Sequence, residues 1–440
     1  MSNYDFSRDL ICENLSVNDN TLYFAGQNTV SLAKEYGTPV YLMDEDRIRA
    51  CCQTYLNAVS SAFGDKGQVL YASKAASFKR MYEIMREEGL GVDVVSCGEI
   101  ATAMKAGFPL SNAFFHSNNK TDEDIQFAIK NGIGYFVVDS EEELNAIDKI
   151  AGENNITQKV MLRITPGIDC HTYEEVATGK VDSKFGSAIV TMQAENITRL
   201  ALSLKNIELE GFHCHIGSQV FDSSVYIQTV DVMTEFLSNM KNRLGYDTKR
   251  LDLGGGYGVR YVADDPTIDI ASSIKEVADR VYQKVDEYGI KMPVICFEPG
   301  RSIVADAGLT LYTVGTVKKI PEYKNYISVD GGMTDNPRFA LYGAEYTVVP
   351  PHRMGDTRNM ECSVVGRCCE SGDIIQENVK MPSDMRRGDL VAVMTTGAYH
   401  YSMASNYNRI PRPPVVMLSG GKSYVAVKRE SLDDITSLDL

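Results

Sequence analysis

Residues 68–89 read QVLYASKAASFKRMYEIMREEG. A run of strand formers ends just before Lys74, and an amphipathic helical stretch follows, closed by Gly89 at the position after its last turn. The same couplet recurs along the chain. QVLYAS is followed by GVDVVS, AFFHS, YFVVDS, VMLRIT, LEGFHCHIG, RLDLGGG and VICFEPG, eight short apolar runs in all. Between them lie helical stretches such as GEIATAMKAG, DEDIQFAIKNG and SSIKEVADRVYQKVDEYG, with Gly107, Gly132 and Gly289 as stop signals. Ser140 followed by Glu143 reads as a capping box that opens another helix. Strand then helix, repeated eight times, predicts a parallel (β/α)8 TIM barrel over residues 37–305, although an open doubly wound sheet shares the pattern. In a barrel, chemistry collects at the C-terminal ends of the strands.

Beyond residue 306 long helices disappear. LTLYTVGTV, YKNYISVDGG, ECSVVGRCC, DLVAVMTTGAY and PPVVMLSGG read as strands of a second, β-rich domain over 306–440. NLSVNDNTLYFAG reads as strand, turn and strand, so residues 1–36 are expected to join that domain. The 440 residues carry 44 Lys plus Arg against 59 Asp plus Glu, a net charge of −15 that repels nucleic acid and anionic membranes and favours a small soluble ligand. Ten cysteines with no C-x-x-C pair read as reduced thiols of a cytoplasmic protein. MSNYDFSRDLICENLS lacks an apolar signal core, and nowhere do about 18 apolar residues run together, so neither export nor membrane insertion is expected.

Four places along the barrel pattern carry residues suited to chemistry. Lys74, at a strand's end, is either a solvated loop lysine or an amine whose partial desolvation makes it nucleophilic. LDLGGGYG, residues 251–258, is either a bare turn or a phosphate cradle in which Gly255 and Gly256 let backbone N–H groups approach an anion; its spacing is not the dinucleotide fingerprint. In FEPGR, residues 297–301, Glu298 suits a protonated ring nitrogen and Arg301 an anion, the alternative being an ordinary surface ion pair. In FHCHIGS, residues 212–218, the strand period puts His213 and His215 on one face, toward the barrel, and Phe212 and Cys214 on the other, toward the helices. Two histidines so spaced begin a metal site, but the chain has six in all and no carboxylate cluster lies beside this pair. An imidazole lying on an aromatic cofactor explains the position equally well, and no metal is expected. Taken together, a reactive lysine, a phosphate cradle, an acid for a ring nitrogen and an imidazole for the ring face describe a pyridoxal 5'-phosphate site.

The motifs YASKA, DVVSCGE, HSNNK, PGIDCHTYEEVATGKVDSKFG, GFHCHIGSQ, LDLGGGYG, EPGRSIVADAG, VDGGMTDNPRFALYGA, CESGD and GAYHYSMASNYN occur in the order found in a known family. Over nearly its whole length the chain resembles the diaminopimelate decarboxylases, of the alanine-racemase-like barrel class that also holds ornithine and arginine decarboxylases. The resemblance implies decarboxylation of meso-2,6-diaminopimelate to L-lysine, the last step of lysine biosynthesis. It also implies that Lys74 attaches the pyridoxal phosphate and that His215 stacks on its ring. Ser218, Gly255, Gly256, Gly300 and Arg301 would hold the phosphate and its surroundings, with Glu298 on the ring nitrogen. Arg301, Arg338 and Tyr342 would bind the distal carboxylate of the substrate, Glu370 its distal amine, and Tyr399 would touch both cofactor and substrate. Cys369 would return a proton to Cα, and the Cys369–Glu370 segment would serve the neighbouring subunit of a homodimer. Read from residue type alone, Arg338 is a loop charge and Cys369 a small buried hydrophobe.

Departures from the family pattern cluster in the second domain. Gly331 stands where alanine is commoner, Phe339 where proline is usual, Glu345-Tyr346 where an aromatic-His pair is common, and Arg367 in place of a proline. They bear on which amino acid is decarboxylated, ornithine, arginine and carboxynorspermidine being the rivals. A silent regulator that keeps the fold would be expected to have lost the lysine, the cysteine or the phosphate grip, and this chain keeps all three.

Overall fold

The computed structural model describes residues 4–168 and 184–440, so residues 171–183 of the HTYEEVATGKVDSKFG stretch lie outside the described residues. The chain forms two compact units: Cys51–Gly258 with Thr267–Ser302, and Met1–Ala50 with Val259–Pro266 and Ile303–Leu440.

In the first unit the eight expected strands are β1 (Gly67–Ala72), β2 (Gly91–Val94), β3 (Ala113–Phe115), β4 (Tyr135–Val138), β5 (Gln158–Thr165), β6 (Ile207–His213), β7 (Arg250–Asp252) and β8 (Val294–Phe297). Each pairs in parallel with the next in sequence, and β8 pairs with β1, which closes the barrel and excludes the open sheet. Parallel strands covered on both faces are apolar throughout, which is why they read as continuous runs. β6 carries a bulge: Leu209 pairs with Val160 and Gly211 with Met161, leaving Glu210 as the extra residue. Gly211 is required there, because a Cβ would sit 1.8 Å from the carbonyl oxygen of Arg250. Downstream of the bulge Phe212 packs edge-on against Phe236 and Tyr246, ring centroids 4.9 and 5.9 Å away.

Helices end where glycine predicts, Lys79–Glu88 at Gly89 and Ile270–Tyr288 at Gly289, both glycines left-handed. The capping box at Ser140 forms only by half. Ser140 accepts from Glu143 N–H, but the Glu143 carboxylate turns to Asp139 N–H at 3.1 Å and to the buried Lys120 ammonium at 2.7 Å. A buried lysine needs a countercharge more than a helix end needs its second cap, and that need decides the rotamer. Among the described residues no helix is long and apolar enough to cross a membrane.

The second unit is built on a sheet whose longest strand, Gly308–Ile320, pairs antiparallel with Val40–Asp44, Lys324–Val329 and Leu390–Met394. Val40–Asp44 also pairs in parallel with Val415–Ser419. Leu22 and Phe24 share one buried cluster with Leu42, Leu311, Met394 and Val416, so the N-terminal hairpin contributes to this core.

Candidate active site

The lower barrel interior is packed by Leu70, Phe114, Tyr135 and Met161, with the Phe114 and Tyr135 rings stacked at 4.2 Å and Arg250 lying over Tyr135. A strand's side chains return to the same face every second residue. Two positions beyond Phe114 is His116, beyond Met161 is Arg163, and beyond Arg250 is Asp252. Asp93 stands two past Gly91, and Glu298 two past Cys296, whose thiol reaches Gln68 of β1 at 3.7 Å. The polar layer at the C-terminal mouth is thus the next inward layer above a floor of aromatic and aliphatic side chains joined by the paired Arg250 and Gln68.

Lys74 lies in a single 3-10 turn, Ser73–Ala75, that ends β1. Its ammonium donates to Asp93 Oδ2 at 3.0 Å; Asp93 is fully buried, while the lysine side chain is 42 % exposed. The lysine therefore has a fixed countercharge below and access above. Glu298 lies at the end of β8 with His213 Nε2 3.1 Å from Oε2 and His116 Nε2 2.8 Å from Oε1. Burial drives the His213 pKa down to about 4. Burial alone would raise the Glu298 carboxyl, but the two imidazoles hold it well below the usual range, whereas burial and the Glu298 charge raise Asp252 well above its own. Burial, with the Lys74 charge nearby, likewise pushes His215 well below an ordinary histidine.

Among the described residues the metal-capable set is His116, His213 and Glu298, with ligand atoms within 4.8 Å of one another, and it does not include His215. His213 Nε2 hydrogen-bonds Glu298 Oε2 at 3.1 Å, while His116 Nε2 approaches Oε1 to 2.8 Å without hydrogen-bond alignment among the described residues.

The anion cradle is made by two loops that touch. Glu298 N–H donates to Gly254 O, and a Cβ on Gly255 would fall 2.1 Å from the Glu298 carbonyl oxygen. Gly256, at φ +105°, would bring a Cβ within 2.3 Å of Gly217 O, and a Cβ on Gly300 would meet Ala72 at 2.9 Å. Only glycine fits these places. Arg301 is buried and donates from Nε and Nη2 to Ser218 Oγ, each at 3.0 Å. Among the described residues the N–H groups of Gly255 and Gly256 have no protein acceptor. Unspent backbone donors beside a guanidinium and a hydroxyl suit a phosphate. With an amine at Lys74 and a carboxylate at Glu298, the donor set fits pyridoxal phosphate.

In the β-rich unit, Arg338, Tyr342 and Tyr399 come together. The guanidinium lies 5.1 and 5.3 Å from the two ring centroids. Arg338 is only 7 % exposed, yet its Nε has no hydrogen-bond partner, and no carboxylate pairs with it among the described residues. Tyr399 holds φ +62°, a costly backbone for a bulky residue and a frequent mark of a functional position. Cys369 and Glu370 are both exposed in a separate loop, where Cys369 N–H donates to Asn408 and Glu370 accepts from Ser371 and Gly372.

Two departures have physical reasons here. A Cβ at Gly331 would come within 2.2 Å of the Tyr312 ring and 2.8 Å of the Asp335 carboxylate, so alanine does not fit this arrangement. Tyr346 fills a buried aromatic site against Tyr261 and His400. Nothing in the structure explains Phe339 or Arg367.

Asp335 itself is buried, accepts from Tyr312 OH at 2.5 Å and from Gly332 N–H at 3.0 Å, and burial pushes its carboxyl up to about 7. The folded chain keeps this proton after the unfolded chain has lost it. Stability from this group is therefore full below about pH 4 and falls by about 1.4 kcal/mol per pH unit up to about pH 7. Asp335→Asn is expected to flatten that slope; urea midpoints at about pH 4.5 and 7 check it, and an unchanged difference between them would refute it.

Sequence reading missed Asp93, His116 and Asp252 as site residues. Their motifs, DVVSCGE, HSNNK and LDLGGG, were in view, and their places at strand ends were the usable signal.

Fold and site together define a pyridoxal-dependent barrel decarboxylase. Residues 46–305 match the family described as pyridoxal-dependent decarboxylase, pyridoxal binding domain. The chain is 43 % identical over 419 residues to the diaminopimelate decarboxylase of Bacillus subtilis (strain 168), covering 95 % of each. The crystal structure of diaminopimelate decarboxylase from M. jannaschii in co-complex with L-lysine superposes with a TM-score of 0.88 at 31 % identity, covering 97 % of this chain and 98 % of that one. The Helicobacter pylori enzyme complexed with L-lysine gives 0.84 at 32 %, covering 94 % and 99 %. The chain belongs to the diaminopimelate decarboxylase family, and its cofactor is pyridoxal 5'-phosphate.

Proposed function

We propose that this protein decarboxylates meso-2,6-diaminopimelate to L-lysine, and that the residues described above carry the reaction. The observation that carries the substrate assignment is Arg338: a buried guanidinium without a carboxylate of its own is a site for an anion brought by the substrate. Relatives at this identity, and solved relatives holding L-lysine, support the same reading.

Lys74 provides the amine that carries the cofactor, and Asp93 keeps that side chain directed along the barrel mouth. Arg301, Ser218 and the Gly255–Gly256 backbone hold the phosphate, Glu298 faces the ring nitrogen, and His215 covers the ring. When bound, pyridoxal phosphate supplies an electron-accepting ring for the pair released as the Cα–carboxylate bond breaks. Arg338 and Tyr342 bind the distal carboxylate, so the carboxylate that leaves is the one at the ring end. Glu370 takes the distal ammonium, and Tyr399 contacts both ends of the site. Cys369 delivers the proton that replaces carbon dioxide at Cα. Cys369 and Glu370 are exposed on their own chain, which supports their serving the site of a second subunit in a cytoplasmic homodimer.

The lysine product lacks the α-carboxylate lost as carbon dioxide. Ornithine and arginine bring no distal anion and would leave Arg338 unpaired, a costly state for a buried cation. Purified holoprotein is therefore expected to release carbon dioxide from meso-diaminopimelate at least about a hundredfold more efficiently than from ornithine, arginine or carboxynorspermidine. Equal or better turnover of any of these would replace the assignment.

A further inference from the structure

Both oxygens of Glu298 are approached by an imidazole from within the barrel. His116 Nε2 stands 2.8 Å from one and His213 Nε2 3.1 Å from the other, and the two imidazoles meet edge to face at 4.8 Å. All three side chains are almost wholly buried. His213 Nδ1 makes no hydrogen bond among the described residues, so the single proton of a neutral ring belongs on Nε2, aimed at the carboxylate.

A second carboxyl lies alongside. Asp252 is fully buried within hydrogen-bonding reach of Glu298, and its Oδ1 accepts Gly254 N–H at 2.8 Å. Asp252 Oδ2 and Glu298 Oε1 both lack a well-aligned donor among the described residues. Two carboxylates in one dry site do not both ionise, and one shared proton relieves both atoms. What decides its owner is the surroundings. The other titratable groups facing the pair are Arg163 from β5, Asp93 from β2, His215, and the thiols of Cys214 and Cys296. Only Glu298 has two imidazoles at its oxygens, His213 hydrogen-bonded at 3.1 Å and His116 approaching to 2.8 Å.

We infer that His116 and His213 are positioning residues that clamp the two oxygens of Glu298, keeping negative charge on that carboxylate and the shared proton on Asp252. The clamp fixes the angle and the charge of the group offered to the cofactor's ring nitrogen. Without it the proton would be shared between the two acids, and Glu298 would spend part of its time neutral, unable to stabilise a protonated ring. The inference rests on the role proposed above for Glu298.

The test uses holoprotein loaded with pyridoxal phosphate carrying 15N at the ring nitrogen, a signal that reports protonation whether or not the enzyme turns over. Wild type is expected to keep the protonated resonance across about pH 6 to 9, and His213→Leu to lose it within that range. His213→Gln, whose amide donates from the same side, is expected to retain it. On diaminopimelate, His213→Leu should lower kcat about 10- to 100-fold with KM held within about threefold, and should cost less than about threefold when Glu298 is already Gln. A ring nitrogen that stays protonated in His213→Leu and His116→Leu, effects that multiply with those of Glu298→Gln, or a Gln variant as impaired as the Leu variant would each overturn the clamp. Should His116→Leu fail to fold, His116→Gln with His213→Leu makes the same comparison. A wild type inactive on diaminopimelate that nonetheless shows the expected 15N pattern would sink the substrate assignment and leave the clamp standing.

Discussion

Lys74→Ala is expected to abolish turnover, by about a thousandfold or more, and to leave no covalently held cofactor. The effect follows from where the amine sits. Among the described residues it is the lysine at the barrel mouth whose countercharge, Asp93, is completely buried while its own side chain is 42 % exposed. Alanine removes the nucleophile and also strands the Asp93 carboxylate without its ammonium, which costs stability. Lys74→Arg separates the two effects: the guanidinium keeps a positive charge for Asp93 but does not deprotonate to react. The arginine variant is therefore expected to be as inactive as the alanine variant and more stable to heat. Borohydride reduction followed by peptide mapping checks the attachment directly. Label elsewhere in wild type, or turnover within tenfold in Lys74→Ala, would remove the foundation of the assignment.

The second large effect is expected at Arg338. Truncation to alanine should lower kcat/KM for diaminopimelate about a hundred- to a thousandfold, because the distal carboxylate would lose a buried, charge-assisted partner. Stability should move the other way. A buried cation without a countercharge is a burden on the folded state, so the thermal midpoint is expected to be unchanged or raised and the cofactor retained. Loss of activity together with gain of stability separates a binding role from a structural one. Wild-type activity in Arg338→Ala, or collapse of the fold, would show that the guanidinium serves something other than the substrate.

The barrel was legible because its strands are buried on both faces and its helices carry their own stop signals, so the strand-helix alternation survives in composition alone. Lys74, Glu298, Arg301 and the three glycines were legible because each ends a strand in a compact motif. Asp93, His116 and Asp252 were not, because their meaning arises from convergence across the barrel of residues far apart in sequence. Each looks unremarkable within its own strand. The second half of the Ser140 capping box failed for a related reason: Lys120, 23 residues upstream, claims Glu143. The environment of Arg338 was likewise hidden, since a guanidinium held over two tyrosines with no acid beside it is a fact of packing.

The extra residue in β6 has a consequence for how this enzyme tolerates change. Register puts Leu209 on the side of Phe212 and opposite His213, although strict alternation through 209, 211 and 213 would have put Leu209 with the histidine. Glu210 thus acts as a half-step in the strand's rhythm, letting one short segment show oily side chains outward along its length and still deliver an imidazole inward at its tip. A chain that kept Glu210 in strict alternation, with no bulge to absorb it, would have to turn either leucine into the catalytic mouth or histidine out among the helices. Removing Glu210 alone is therefore predicted to leave leucine outward and histidine inward, whereas one more residue inserted beside it, without a further bulge, would put the two on one face.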